Sequence, residues 1–237
     1  MGKNIIPQRR GRGTAVFRAP SKRYVGRVMH PNINDKNISG SVIDIVKCPG
    51  HYAPIAELKY SNNEEGLMFA PEGMRVGDTV NFGTNAEIKQ GNMTQLKNIP
   101  EGTLIYNIES KPGDGGKFCR TNGVFGRLVT KTSESITIVL PSKKERKFDP
   151  NCCANIGIIA GSGRKEKPIL KAGNMYFAKK ARNKFWPSVS ANSMNAVDHP
   201  FGGGASHRHK CPRQASRHAP PGRKVGSLAP SRTGRKR

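Results

Sequence analysis

Hydrophobic residues along the chain recur in short runs of strand length. SVIDIVKC at 41–48 and ITIVL at 136–140 are rich in β-branched residues. APIAELKY at 53–60 alternates, with Ala56, Leu58 and Tyr60 on one side and Ile55, Glu57 and Lys59 on the other. TVNFG at 79–83 places Val80 and Phe82 together, and GTLIYNIE at 102–109 does the same for Leu104, Tyr106 and Ile108. Turn formers punctuate these runs: CPG at 48–50, SNNEEG at 61–66, PEG at 71–73, RVGD at 75–78 and PGDGG at 112–116. No segment between 31 and 160 keeps a helical apolar period for three turns. Short strands with frequent turns predict an all-β body, and its length suits two small barrels with a seam near 98–102.

The flanks read differently. PQRRGRGTAVFRAPSKRY at 7–24 mixes Arg and Gly with single apolar residues. From 187 to 237 the sole aromatic is Phe201, and Val189, Val197, Val225 and Leu228 are scattered without period. Such a segment buries too little surface to offset its ordering entropy, so it is disordered alone or ordered by something else. KAGNMYFAKKARNKFW at 171–186 is the exception and predicts a short helix.

Charge sharpens this division. The 237 residues hold 41 Lys+Arg against 16 Asp+Glu, a formal +25, with 35% hydrophobic and 6% aromatic residues. Residues 1–30 carry +8, residues 31–160 only +1, and residues 161–237 carry +16. A nearly neutral body therefore lies between two basic arms, which points to a polyanionic partner. No apolar run approaches the length of a membrane span, and MGKNIIPQRRGRG lacks the apolar stretch of a secretory signal. The five cysteines (Cys48, Cys119, Cys152, Cys153 and Cys211) are odd in number and lack C-x-x-C spacing, which fits a reducing compartment.

Arms that mix Arg/Lys, Gly and aromatics match folded RNA. The cations neutralise phosphates and release counterions. Arg forks onto phosphate and stacks on bases. Trp186, Phe185 and Tyr176 offer stacking surfaces for unpaired bases. Neither arm shows the broad apolar face of a membrane-surface helix, so no membrane partner is expected.

Several motifs invite other chemistry. PGDGGK at 112–117 is two residues short of a phosphate-binding loop, and Phe118 stands where a hydroxyl is needed. It reads as a turn with Lys117 available to RNA. His207, His209, Cys211 and His218 have poor spacing for zinc, so neither metal nor cofactor is expected, and they read as basic-tail residues. Cys152 and Cys153 face opposite sides of a strand, one in the core and the other incidental. Asp198–His199 suggests an acid–base pair, yet no motif places a nucleophile beside it. The glycines Gly202, Gly203 and Gly204 suggest backbone pressed against a partner.

MNAVDHPFGGG at 194–204 resembles the signature of the universal large-subunit ribosomal protein family usually called L-two. PQRRGRGTAVFRAP, PEGTLIYNIESKPGDGGKF, KPILKAGNMYFAKKARNKFWPSV and APPGRKVGSLAPSRTGR also look like segments of that family, in its order, across almost the entire chain. Phe201 replaces a second His common in bacterial members, and the short first arm also makes the chain look archaeal or eukaryotic, the former more so.

The resemblance implies a mainly β fold. An oligonucleotide-binding-type five-stranded barrel (31–97) would precede an SH3-like barrel (98–166), flanked by a basic N-terminal arm (1–30) and an RNA-threading C-terminal extension (167–237). It also implies cytoplasmic work in the large ribosomal subunit. The partners would be large-subunit ribosomal RNA, other ribosomal proteins, and the small subunit through an intersubunit bridge. The family is associated with subunit joining, tRNA binding and peptidyl transferase activity. The loop with Asp198, His199 and Gly202 to Gly204 would face the peptidyl transferase region, with His199 holding a loop or an RNA contact.

RNA contacts are expected from Arg9, Arg10, Arg12, Arg18, Lys22, Arg23 and Arg27 in the first arm. In the second they are expected from Lys171, Lys179, Lys180, Arg182, Lys184, Arg208, Arg213, Arg217, Arg223, Lys224 and Arg232. Two rivals to a structural, non-enzymatic RNA binder remain. An RNA-acting enzyme would use Asp198 and His199, but their segment is too polar to form its own pocket. A generic nucleic-acid-coating protein would bind DNA and any RNA alike.

Overall fold

Val80 and Phe82 are buried while Thr79 before them and Asn81 between them are exposed, as a strand with one wet face requires. The same logic assembles most of the sheet. In the computed structural model, residues 2–31, 37–204 and 214–230 are described. The chain divides into two compact units, 21–169 and 1–20 with 170–237.

Unit 21–169 carries ten strands. They are β1 (Ile38–Val46), β2 (Ile55–Tyr60), β3 (Glu65–Phe69), β4 (Thr79–Phe82) and β5 (Met93–Gln95), then β6 (Leu104–Tyr106), β7 (Gly126–Lys131), β8 (Ile136–Val139), β9 (Glu145–Phe148) and β10 (Cys153–Ile156). They pair in the order β3-β2-β1-β4-β5-β10-β6-β7-β8-β9. Every pairing is antiparallel except β4 with β5. The fold is therefore mainly β, but no ladder among the described residues closes either half into a barrel. A register shift between Val42 and Asp44 bulges β1 and turns Ile43 outward.

Two hydrophobic cores lie in this unit. The first collects Val42, Ile55, Leu58, Phe69, Val80 and Phe82, with Met93 and Tyr106. The second collects Leu96, Ile99, Leu128, Ile136 and Ile138, with Ile105 and Ile108. β6 serves both. Successive strand residues face opposite sides, so Ile105 enters the second core and Tyr106 the first. Tyr106 satisfies its hydroxyl by donating to the Phe69 carbonyl at 3.1 Å. Asn107 then takes a left-handed backbone, φ 49°, and the next residue, Ile108, returns to the second core. The expected grouping of Leu104, Tyr106 and Ile108 on one side ends at that residue.

β10 behaves alike: Cys152 and Ala154 pack in the second core, and Cys153 packs against the first. Neither cysteine is incidental. Burial pushes the Cys153 thiol up to about 12 and the Cys152 thiol to about 11, so they are packing groups and not nucleophiles.

The glycine-rich turn at 112–116 is built around the chain's own carboxylates. Glu109, buried, accepts backbone N–H bonds from Gly113 (3.2 Å), Gly115 (3.1 Å) and Cys153 (2.8 Å). Asp114 accepts from Ser110, Lys111 and Gly116. The amides that a phosphate would use are already occupied. Lys117 stays exposed, 3.9 Å from Asp114.

Residues 21–30 belong to this unit. Val28 and His30 are buried, and Arg120 donates to the carbonyls of Val28 (2.6 Å) and Gly116.

Candidate nucleic-acid interface

Unit 1–20 with 170–237 has almost no core of its own. Among its described residues Ile5 alone is buried. Its sequence holds 20 Lys/Arg and one acid, Asp198, for a formal +19. Tertiary order here comes from a few specific contacts between its two chain segments.

Helix α1 (Ile6–Gly11) carries Pro7 in its first turn, where a missing N–H costs nothing. Gln8 accepts from the Ile5 N–H at 3.0 Å. Arg9 and Arg10 project from it over the Phe17 ring, at 5.8 and 6.0 Å from the centroid. Phe17 in turn meets Phe185 at 6.2 Å. Asn183 donates to the carbonyls of Arg18 (2.8 Å) and Ala15 (3.3 Å). The first segment thus lies against the end of helix α2 (Ala172–Lys180), which occupies the expected helical stretch. Tyr176 and Phe177 on α2 and Phe185 beyond it stay largely exposed.

The loop at 194–204 is held from within. Lys3 donates its backbone N–H to the Val197 carbonyl at 2.8 Å, and its ammonium pairs with Asp198 at 3.4 Å. His199 accepts the Phe201 N–H at Nδ1, 3.0 Å, with the two rings edge to face at 5.2 Å. That bond uses Nδ1 as an acceptor. Asp198 and His199 therefore engage different partners and not each other. Gly202 sits against the Asn195 carbonyl so closely that a Cβ would collide with it. Gly203, at φ 77°, returns its N–H to the Met194 carbonyl. Both glycines have an internal steric reason to be there.

A cavity of about 910 Å³ opens between α1 and this loop, with Lys3, Arg9, Arg12, Phe185 and Asp198 on its wall. A second of about 520 Å³ brings Phe201 and Arg223 together near the two-stranded parallel ladder of β11 (Gln214–Ala215) and β12 (Ser227–Leu228).

Of the expected RNA contacts, Arg9, Arg10, Arg12, Arg18, Lys171, Lys180, Lys184, Arg217, Arg223 and Lys224 are exposed in this unit. Lys179, Arg182, Trp186, Asp198 and His199 are half-buried. Lys22, Arg23, Arg27 and Lys117 lie exposed on the other unit. His207, Arg208, Arg213 and Arg232 lie outside the described residues, as do His209 and Cys211 of the considered zinc group. Among the described residues no group of His, Cys, Asp and Glu is arranged to hold a metal. No helix there is long and apolar enough to cross a membrane.

Sequence reading missed Lys3, which anchors the Asp198 loop, and Arg164, whose guanidinium carbon sits 3.6 Å from the Tyr52 ring centroid. Lys3 was part of a counted basic run, but nothing local marks its partner 195 residues away.

Comparison with known proteins completes the picture. A family model described as "Ribosomal Proteins L2, RNA binding N-terminal domain" matches residues 3–82. A second, "Ribosomal Proteins L2, C-terminal domain", matches residues 89–222. A Halorubrum lacusprofundi protein named "Large ribosomal subunit protein uL2" is 49% identical over 236 residues, covering 99% of this chain and 98% of its own. The protein of the same name from Haloarcula marismortui is 48% identical, with the same coverage. That from Methanothermobacter thermautotrophicus is 46% identical over the full length of both chains.

Proposed function

The chain belongs to the ribosomal protein L2 family, and from that premise we propose that it is a structural constituent of the large ribosomal subunit that binds large-subunit ribosomal RNA. The observation that carries this reading is the unit of 1–20 with 170–237. It combines a formal +19, one acid, exposed aromatics and a single buried residue among those described. A polypeptide of that kind gains its cohesion from a polyanion threaded against it. Arg9, Arg10, Arg12 and Arg18 serve the first segment, and Lys171, Lys180, Lys184, Arg217, Arg223 and Lys224 the second. Most of these meet phosphate and sugar, so they position the chain and read little sequence. His207, Arg208, Arg213 and Arg232 are assigned the same role from the sequence alone.

The mechanism is electrostatic and conformational, not enzymatic. Asp198 is committed to Lys3, and His199 to Phe201, so the pair is not set up as acid and base on one substrate. The 194–204 loop, braced from within, holds an RNA contact at His199 near the peptidyl transferase region. We extend the reading to subunit association through an intersubunit bridge, to support of tRNA binding, and to contact with other ribosomal proteins in the cytoplasmic ribosome.

The test is binding of the full chain to large-subunit ribosomal RNA across a salt series, with unrelated structured RNA and duplex DNA as competitors. The ribosomal reading expects preference for the large-subunit RNA to survive competition as salt rises. Equal competition by all three polyanions at high salt refutes it in favour of a generic coating protein.

A further inference from the structure

The body unit carries a stacked pair that the RNA-binding reading of the arms leaves unused. Arg164 and Tyr52 come from distant loops, and the guanidinium carbon lies 3.6 Å from the Tyr52 ring centroid. That separation is reachable only over the ring face, because an in-plane approach would overlap ring atoms. Both side chains remain accessible, Tyr52 being 40% exposed and Arg164 exposed.

Neither partner is on a loose loop. The loop bearing Tyr52 is pinned by buried Cys48 and Ala53 on its two sides, and by the His51 ring set edge to face on Phe69 at 5.7 Å. The Tyr24 ring lies against Gly50, where a Cβ would come within 2.8 Å of it. Arg164 stands on a short 3₁₀ turn, Ser162–Lys165. The strand of chain leading to that turn is fixed by the Asn122 amide donating to the Gly161 carbonyl at 2.7 Å, and by the Gly123 N–H donating to Ile159. Lys22 and Arg23, both exposed, immediately precede Tyr24 in the chain.

We propose that Arg164 and Tyr52 form a stacking platform for one unpaired RNA base, with Lys22 and Arg23 holding the flanking phosphates. The inference rests on the RNA-binding reading and adds a base-recognition subsite to the body. With its carbon 3.6 Å above the ring centre, a guanidinium standing steeply would push a nitrogen into the ring, so the group lies close to parallel with it, the orientation that base stacking needs. A phosphate contact needs only a mobile charge, so an arginine immobilised on a tyrosine is better suited to a base face. Duplex RNA hides those faces. The partner is therefore an unpaired nucleotide in a loop, bulge or junction.

The experiment uses the full chain, titrated with large-subunit ribosomal RNA, with a single-stranded RNA oligonucleotide and with an RNA duplex of equal length, each across a salt series. Arg164→Lys keeps the charge and loses the planar group. Tyr52→Phe keeps the ring, and Tyr52→Ala removes it. The expected result is a loss of about five- to twentyfold on the single strand and on ribosomal RNA for Arg164→Lys and Tyr52→Ala. The salt slope stays unchanged, the duplex is unaffected, and Tyr52→Phe binds as the parent does. Circular dichroism of Tyr52→Ala and Arg164→Lys checks that each keeps the parent fold, and Arg164→Lys alone carries the test if Tyr52→Ala does not fold.

If Arg164→Lys is silent while Arg164→Ala flattens the slope by about one phosphate contact, the residue is an ordinary phosphate ligand and the proposal falls. Equal losses on single strand and duplex also overturn it. The parent chain's preference among RNAs tests the ribosomal reading separately. That preference can fail while the single-strand losses of the variants persist.

Discussion

Lys3 and Asp198 stand 195 residues apart and meet at 3.4 Å, beside a 2.8 Å backbone bond from the Lys3 N–H to Val197. The two chain segments of the basic unit are thus joined at the 194–204 loop. The side chains are 73% and 42% exposed, so water and salt screen their attraction. Lys3→Ala is expected to change global stability by less than about 1 kcal/mol. It should loosen the 194–204 loop, read as faster backbone amide exchange at Val197 to Gly203. Unchanged exchange there would mean the backbone bond alone holds the loop.

Glu109 is the opposite case, a buried carboxylate filled by three backbone donors from Gly113, Gly115 and Cys153. Glu109→Gln turns one acceptor into a donor facing N–H groups. A loss of about 2–4 kcal/mol in urea unfolding is expected, because buried amides lose their acceptor. Asp114→Asn, on the outer side of the same turn, should cost clearly less. Equal costs for the two would show that burial does not decide the matter.

The strand positions of the body were legible because their cause is local. Val80 and Phe82 alternate with polar residues, and the solvent-facing side of β4 follows. The short helix at 172–180 was legible for the same reason. The double duty of β6 was not. Tyr106 and Ile105 enter different cores, and Asn107 resets the alternation through its left-handed backbone. No periodicity in the sequence announces such a kink. Nor could local pattern show that Asn183 would donate to Arg18, 165 residues earlier, or that Arg164 would cover Tyr52. The arms looked structureless because each lacks a core. Their mutual contacts are sparse, polar and distant in sequence, which is the kind of order composition cannot reveal.

Gly202 has ordinary backbone but no room, since a Cβ would strike the Asn195 carbonyl. Gly173, in α2, has nothing within 4 Å of that position. Gly202→Ala should therefore disturb the His199–Phe201 contact and weaken ribosomal RNA binding, whereas Gly173→Ala should be tolerated. The latter should even raise helix stability by about 0.5–1 kcal/mol, from propensity alone. The pair is checked by chemical-shift changes around Phe201 and by circular dichroism. A silent Gly202→Ala would mean that the loop gives way freely.

His30 links body stability to pH. Burial is the main cause that lowers its pKa from 6.5 to about 4. The bond from Nε2 to the Asn107 carbonyl (2.7 Å) resists that shift, the Arg120 guanidinium adds to it, and Asp114 opposes it weakly. The folded chain therefore prefers the neutral ring, while the unfolded chain takes up a proton once pH drops below about 6.5. Stability from this residue is fully present above that value, is lost as pH falls toward about 4, and is flat below. At about 1.4 kcal/mol per unit, the whole effect is on the order of 3 kcal/mol. His30→Gln keeps a donor for Asn107 but cannot titrate. The stability difference between parent and variant, from urea midpoints at pH 7 and pH 4.5, should narrow by about 2–3 kcal/mol in the acid. A difference that stays constant with pH would show that the imidazole is protonated inside the fold, with water or Asp114 compensating its charge.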